Sequence, residues 1–140
     1  MKNLKFDMNT IGFISLFEKL TRAKLKDCFT DQNETLVFVV EDGDIAKALG
    51  KQGRTAKMVT QKFKRKIKIA EYSADLIKFI KNLILPYKVD DITQEGGIVT
   101  LKGEDVQVKG LLIGKNGKNL RNYESIAKRY FPDLEEIKVI

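Results

Sequence analysis

The sequence contains one short glycine loop twice, as Gly50-Lys51-Gln52-Gly53 and as Gly114-Lys115-Asn116-Gly117. Each copy reads G-K-x-G with a side-chain amide at the third position, follows an apolar stretch and leads into a basic helical pattern. The residues around the loops also match at an offset of 64 positions: Glu41 with Asp105, Leu49 with Ile113, Arg54 with Lys118, and Ala56 with Leu120. A single loop of this kind is compatible with a helix break, whereas a repeat of whole units predicts a duplicated module.

Hydrophobic periodicity predicts the same order of elements in both halves: helix, strand, strand, helix, glycine loop, helix, strand. In the first half the predicted elements are a helix over 11–24 capped by Thr10, strands over 25–30, 36–40 and 66–70, a short helix ending at Gly50, and a helix over 54–64. In the strand over 66–70, Lys66 and Lys68 are expected to point outward because the side chains of a strand alternate.

In the second half the predicted elements are a helix over 74–85 capped by Ser73, strands over 87–93, 98–102 and 136–140, a short helix from a cap at Asp105 to Ile113, and a helix over 118–130. The chain has 140 residues, of which 43% are hydrophobic, enough for two small packed domains. We place these domains at 1–71 and 72–140. The predicted fold class is α+β, with each domain packing helices against a three-stranded sheet.

Positive charge is concentrated around the first loop. The net charge is +7, and residues 45–70 contain nine Lys or Arg residues and no Asp or Glu. Residues 72–140 are close to neutral, with 11 basic and 10 acidic residues. A basic stretch is often only a solvated face, but one that surrounds a glycine loop favours an anionic partner, with nucleic acid as the leading candidate.

The composition argues against several other classes of function. The chain has no histidine, which removes the commonest general base and metal ligand. Its one cysteine, Cys28, allows no intrachain disulfide, lies in an alternating apolar segment and is expected to be a buried core thiol. No signal peptide or membrane-length apolar run is visible. Residues 110–116 lack the spacing and the Ser or Thr of a P-loop. We expect no enzyme activity, cofactor, metal site, small-molecule substrate or membrane attachment, and an intracellular, cytoplasmic location.

A glycine loop between two helices has a physical use in binding phosphate. The second helix directs free backbone N–H groups and its positive dipole end toward an anion. Glycines let a phosphate approach the main chain closely, and the lysine adds a cationic donor.

The loops, their flanks and the helix–strand order resemble the K-homology (KH) domain, whose G-x-x-G loop binds single-stranded nucleic acid. The leading helix and trailing strand resemble the type II form, and two such domains in tandem resemble the KH pair of the short archaeal NusA-like transcription factors. The resemblance implies a factor in transcription elongation or termination that binds single-stranded RNA and acts near RNA polymerase, without the further domains of bacterial NusA. It implies RNA-backbone contacts by Gly50, Lys51, Gln52, Gly53, Arg54 and Lys57 in the first domain, and by Gly114, Lys115, Asn116, Gly117, Lys118 and Arg121 in the second. It implies groove-lining roles for Ile45, Leu49, Leu112 and Ile113.

Two alternatives stay open at this point. KH folds also occur in RNA-binding factors of ribosome assembly and translation. A protein-interaction module, in which both glycine loops are purely structural, is the other alternative.

Overall fold

The structure, a computed structural model, describes residues 8–140, with side chains from residue 10 onward. The chain divides into two compact units, Met1–Tyr72 and Ser73–Ile140. Each unit packs helices with one three-stranded sheet. The predicted α+β class with two three-stranded sheets is therefore confirmed.

The first unit follows the predicted order of elements. Along the chain these are α1 (Met8–Thr21), β1 (Leu25–Thr30), β2 (Leu36–Val40), α2 (Ile45–Leu49), α3 (Arg54–Phe63) and β3 (Ile67–Glu71). Strand β2 is central: β1 pairs with it antiparallel and β3 pairs with it parallel. Because β2 and β3 are parallel, the chain must cross over between them, and α2 and α3 form that crossover.

The second unit repeats this arrangement. Its elements are α4 (Leu76–Ile84), β4 (Asp91–Glu95), β5 (Ile98–Lys102), α5 (Val106–Ile113), α6 (Lys118–Lys128) and β6 (Glu136–Val139). Strand β5 is central, with β4 antiparallel to it and β6 parallel to it. The glycine loops occupy the same place in both units, inside the crossover between the two parallel strands.

Aromatic side chains form a large part of both cores. In the first unit Phe17 of α1 stacks on Phe38 of β2 with 4.2 Å between ring centroids, and Phe63 of α3 lies 5.3 Å from Phe38. In the second unit Phe79 of α4 contacts Tyr130 and Phe131, which follow α6. These contacts hold α3 against the sheet in the first unit and join α4 to the segment after α6 in the second.

The central strand of the first sheet, β2, is buried on both of its faces. Val37 and Val39 point away from the cluster around Phe38, yet both are fully buried. Lys68 pairs with Val37 in the ladder and so points away from the Phe38 cluster, as predicted, but on this face it is only partly exposed. Burial lowers the pKa of the Lys68 ammonium, and the nearby Asp31 carboxylate partly opposes this shift.

Two predicted helix caps were wrong. Within the described residues helix α1 spans Met8–Thr21, so Thr10 lies inside it. Helix α4 is capped by Asp75, whose carboxylate accepts a hydrogen bond from Ile77 N at 3.2 Å, and the hydroxyl of Ser73 accepts one from Asp75 N. Asp105 does cap α5 as predicted, accepting from the backbone N–H groups of Gln107 and Val108.

Candidate nucleic-acid interface

Each glycine loop joins two helices through a single tight turn. The Gly50 N–H donates to Ala46 O at 2.9 Å and ends α2, and the Gly114 N–H donates to Gly110 O at 2.8 Å and ends α5. The second glycine of each loop, Gly53 or Gly117, then donates to the first at 3.2 Å. The next helix begins directly after this glycine, so its first N–H groups lie beside the loop.

The two loops have the same backbone conformation. Gly50 and Gly114 have φ of 71° and 73° with ψ of 176° in both. The third residue, Gln52 or Asn116, has φ near 56° and ψ near 28°, which is left-handed helical backbone. A left-handed non-glycine residue costs about 1–2 kcal/mol, and strain of this kind concentrates at functional sites. The repeat in sequence is therefore also a repeat in conformation.

The two glycines of each loop are needed for different reasons. A Cβ on Gly50 would lie 2.2 Å from Thr55 Oγ1 and 2.9 Å from Thr55 N, and a Cβ on Gly114 would lie 2.7 Å from Asn119 Cγ. The first glycine therefore allows close packing against the next helix. A Cβ on Gly53 or Gly117 would have no heavy atom within 4 Å. The second glycine faces open space, where a ligand can approach the main chain.

Exposed cations surround the first loop. Lys51, Arg54 and Lys57 are all exposed, on the loop and on the first turns of α3. Lys47 of α2 is also exposed and lies 3.9 Å from Asp44, which precedes the basic stretch. The structure thus places four basic side chains on and beside a loop whose second glycine is open, an arrangement suited to several phosphates.

The second loop has fewer available cations. Lys115 and Lys118 are exposed, and Arg121, although half exposed, is paired with groups of its own unit. One Arg121 nitrogen lies 3.2 Å from Glu124 Oε1, and the other donates to Ile137 O at 3.4 Å. Glu124 is only 6% exposed and its other oxygen accepts from Ile137 N at 2.7 Å, so this cluster ties α6 to β6. In this structure the Arg121 guanidinium makes structural contacts, and its RNA contact stays a prediction.

The four apolar residues predicted to line a groove do not share one environment. Leu49, directly before the first loop, is 39% exposed, and Ile113, directly before the second, is partly exposed. Ile45 is partly buried and packs against the core of the first unit. Leu112 is fully buried. It is a core residue in the position that Ala48 has in the first unit, so its predicted groove-lining role is corrected.

The sequence prediction missed one apolar residue beside the second loop. Leu111 is 43% exposed, and its carbonyl accepts a hydrogen bond from the Asn119 side chain at 2.9 Å, which closes the loop. At the 64-residue offset Leu111 corresponds to Lys47, so the repeat gave no signal for an apolar contact there. The apolar residues of α5 do not gather on one face of the helix, so its helical periodicity gave no signal either.

Features of other functional classes are weak in this protein. Cys28 is buried, as predicted; its burial, the main cause, and the neighbouring Asp27 raise the pKa of its thiol to about 12, against a smaller opposing effect of Arg65. Across the described part of the chain, no group of three His, Cys, Asp or Glu side chains is arranged to hold a metal ion. From residue 8 to residue 140, no helix has the length and apolar character needed to cross a membrane.

Known proteins with similar sequence extend over almost the whole chain. A protein of Methanococcus vannielii named "Probable transcription termination protein NusA" is 38% identical over 140 residues, which is 98% of this chain and 80% of that protein. A protein of the same name from Methanocaldococcus jannaschii is 34% identical and spans all of this chain and 77% of its own length. No protein-family model matches the chain.

A solved structure is similar in fold as well. The crystal structure of the protein APE1850 superposes with a TM-score of 0.71 at 28% identity, covering 96% of this chain and all of the other. This structural match over nearly the whole chain agrees with the two sequence relatives. They are 38% and 34% identical to the chain, over 80% and 77% of their own lengths. The chain belongs to the family of archaeal NusA transcription termination proteins.

Proposed function

We propose that this protein binds single-stranded RNA through its two G-K-x-G loops and acts in transcription elongation or termination. Its RNA would be the nascent transcript, and RNA polymerase would be its protein partner, in the cytoplasm. The names of the relatives support a role in transcription over the alternative in ribosome assembly or translation. The proposed activity is binding without catalysis, and it uses no cofactor.

We further propose that each unit is a KH domain of type II, with boundaries at 1–71 and 72–140. The order helix, strand, strand, helix, loop, helix, strand, with one antiparallel and one parallel pairing per sheet, supports this assignment. So does the position of both loops between two helices of the crossover. A KH groove binds about four nucleotides beside its G-x-x-G loop.

The observation that carries the proposal is the asymmetry between the two glycines of each loop. Packing alone explains Gly50 and Gly114, because a side chain there would overlap the next helix. At Gly53 and Gly117 packing leaves open space, and only the left-handed backbone, with φ of 74° and 75°, favours glycine there. The open space lets a ligand approach the main chain at this point, and the exposed lysines next to it favour an anionic ligand. Backbone conformation and packing alone would also favour these glycines, so the support for binding comes from the open space combined with the exposed cations.

The first unit is proposed to bind more tightly than the second. Its loop is surrounded by exposed cations, whereas Arg121 of the second unit is engaged by Glu124. The exposed apolar residues Leu49 and Leu111 supply surface for the bases beside each loop.

Strand preference tests this function directly. We expect the protein to bind an unstructured single-stranded RNA and to reject a perfect duplex of the same length, because the bases must be unpaired to enter the groove. Affinity should fall steeply with salt as lysines release counterions from phosphates. Fluorescence anisotropy with a labelled strand measures both effects. Equal affinity for strand and duplex would refute the groove.

A matched pair of substitutions tests the assignment of cations. Lys57→Ala should lower RNA affinity several-fold and reduce the slope of affinity against salt by about one. Arg121→Ala, four positions after Gly117 as Lys57 is after Gly53, should leave that slope unchanged. It should instead lower the free energy of unfolding by no more than about 1 kcal/mol, since the Arg121 side chain is half exposed. An equal drop in salt slope for both variants would show that Arg121 leaves Glu124 to bind RNA.

A further inference from the structure

A cavity of about 390 Å³ lies in the second unit, where α4 leads into β4. Its volume falls in the range of small-ligand sites. The residues around it all belong to the second unit: Lys81, Asn82, Ile84, Leu85, Tyr87, Lys88 and Val89. None of them has a role in the loop contacts described above.

The charge around this cavity favours an anion. Lys81 and Lys88 are both exposed at its edge, and the set of described residues that lines it includes no carboxylate. Lys81 has an alternative explanation, because an ammonium in the last turn of a helix interacts favourably with the helix dipole. Lys88 lies beyond the end of α4 and has no such explanation.

The remaining surface suits a flat apolar group. Ile84 is buried and forms a floor, while Leu85 is 50% exposed beside it. Tyr87 is partly exposed, and aromatic side chains provide the surface on which bases of single-stranded nucleic acid stack without regard to sequence. One nucleotide has both of the groups that this surface suits. Its phosphate would lie near the two ammonium groups, and its base would lie against the leucine and the tyrosine.

We propose that this cavity binds one nucleotide of single-stranded RNA, outside the two glycine loops. The phosphate of this nucleotide would lie at Lys81 and Lys88, and its base would lie against Leu85 and Tyr87. The proposal rests on the proposed function, since that function supplies the RNA strand. It adds a third contact, on the second unit, and compensates in part for the weaker second loop. An acidic peptide of a protein partner is the competing occupant, and the test below distinguishes the two.

The test compares two charge-reversed variants of equal net charge. Lys81→Glu with Lys88→Glu alters the cavity, and Lys128→Glu with Lys138→Glu alters two exposed residues of the same unit that do not line it. The probe is an oligouridylate of about 20 nucleotides, well beyond the roughly four that one groove takes. We expect the cavity variant to bind roughly tenfold more weakly than the control variant, because it loses phosphate contacts that the control keeps. Photo-crosslinking of a 4-thiouridine strand to the wild type should give an adduct within residues 81–89.

Each other outcome has a definite meaning. If both variants bind the strand equally and no adduct forms within residues 81–89, the cavity does not bind RNA. If the cavity variant binds RNA like the control but captures less RNA polymerase, the occupant is an acidic peptide and the proposal is overturned. If the wild type does not bind the strand at all, the proposed function fails first. If the wild type binds the strand and substitutions in the glycine loops abolish that binding, the proposed function holds. An unaffected cavity variant would then refute the cavity proposal alone.

Discussion

Replacing Lys51 and Gln52 with aspartate is expected to remove most of the RNA binding while leaving the melting temperature nearly unchanged. Both side chains are exposed, so the substitution removes no core contact. Gln52 has left-handed backbone, which aspartate tolerates better than most residues, and both glycines remain. The change places negative charge where the phosphate is proposed to lie, and the loss of affinity should be on the order of a hundredfold. Anisotropy titrations and thermal unfolding measure the two effects.

The second loop provides the matched control. Lys115→Asp with Asn116→Asp makes a similar change in a loop of the same conformation. It should cost less affinity, because fewer exposed cations surround that loop and Arg121 is engaged by Glu124. If the first-loop variant binds RNA like the wild type, its loop is structural. If the second-loop variant shows the larger loss, the assignment of the stronger site to the first unit is wrong.

The second large effect is expected at the two glycines of the first loop, and it should separate stability from binding. Gly50→Ala should lower the free energy of unfolding by about 3 kcal/mol or more, because its φ and ψ are almost restricted to glycine and its Cβ would overlap Thr55. Gly53→Ala should cost only about 1–2 kcal/mol, since left-handed backbone is its sole penalty. Chemical denaturation measures both values.

The loss of RNA affinity should have the opposite order, with Gly53→Ala weakening RNA binding more than Gly50→Ala. The methyl group of Gly53→Ala projects into the open space beside the loop and displaces the ligand from the main chain. Loss of one hydrogen bond to a charged phosphate corresponds to about a tenfold loss of affinity. Gly53→Ala with normal RNA affinity would mean that no ligand approaches the main chain there. A Gly50→Ala protein as stable as the wild type would contradict the packing that the structure shows.

The local sequence pattern was sufficient to predict the exact bounds of three of the strands. The bounds of β1, β2 and β5 are the predicted ones, because apolar or alternating residues there are bracketed by clusters of turn residues. Strand β4 was predicted to begin at Tyr87 but begins at Asp91. Its ladder is limited by its partner: β5 ends at Lys102, which pairs with Asp91, so earlier residues have no strand to pair with.

At the site, the loops could be predicted from sequence, while the states of individual side chains could not. The glycines and the amide at the third position specify a local conformation, and local conformation follows from residue type. The engagement of Arg121 depends on Glu124 and on a carbonyl of β6, sixteen residues further along the chain. Leu112 and Leu111 are adjacent apolar residues of one helix, and only the packing of α5 determines which is buried. Contacts that depend on how elements pack together leave no mark in a single sequence.

The most direct test of the account is to locate the bound RNA on the protein. Backbone amide signals of isotope-labelled protein, titrated with a single-stranded RNA and observed by NMR, report each residue separately. We predict that the signals of residues 50–53 shift strongly, that those of residues 114–117 shift at higher RNA concentration, and that a duplex of the same length shifts neither. Saturating RNA that leaves the signals of both loops unchanged would contradict the central claim that the glycine loops bind RNA.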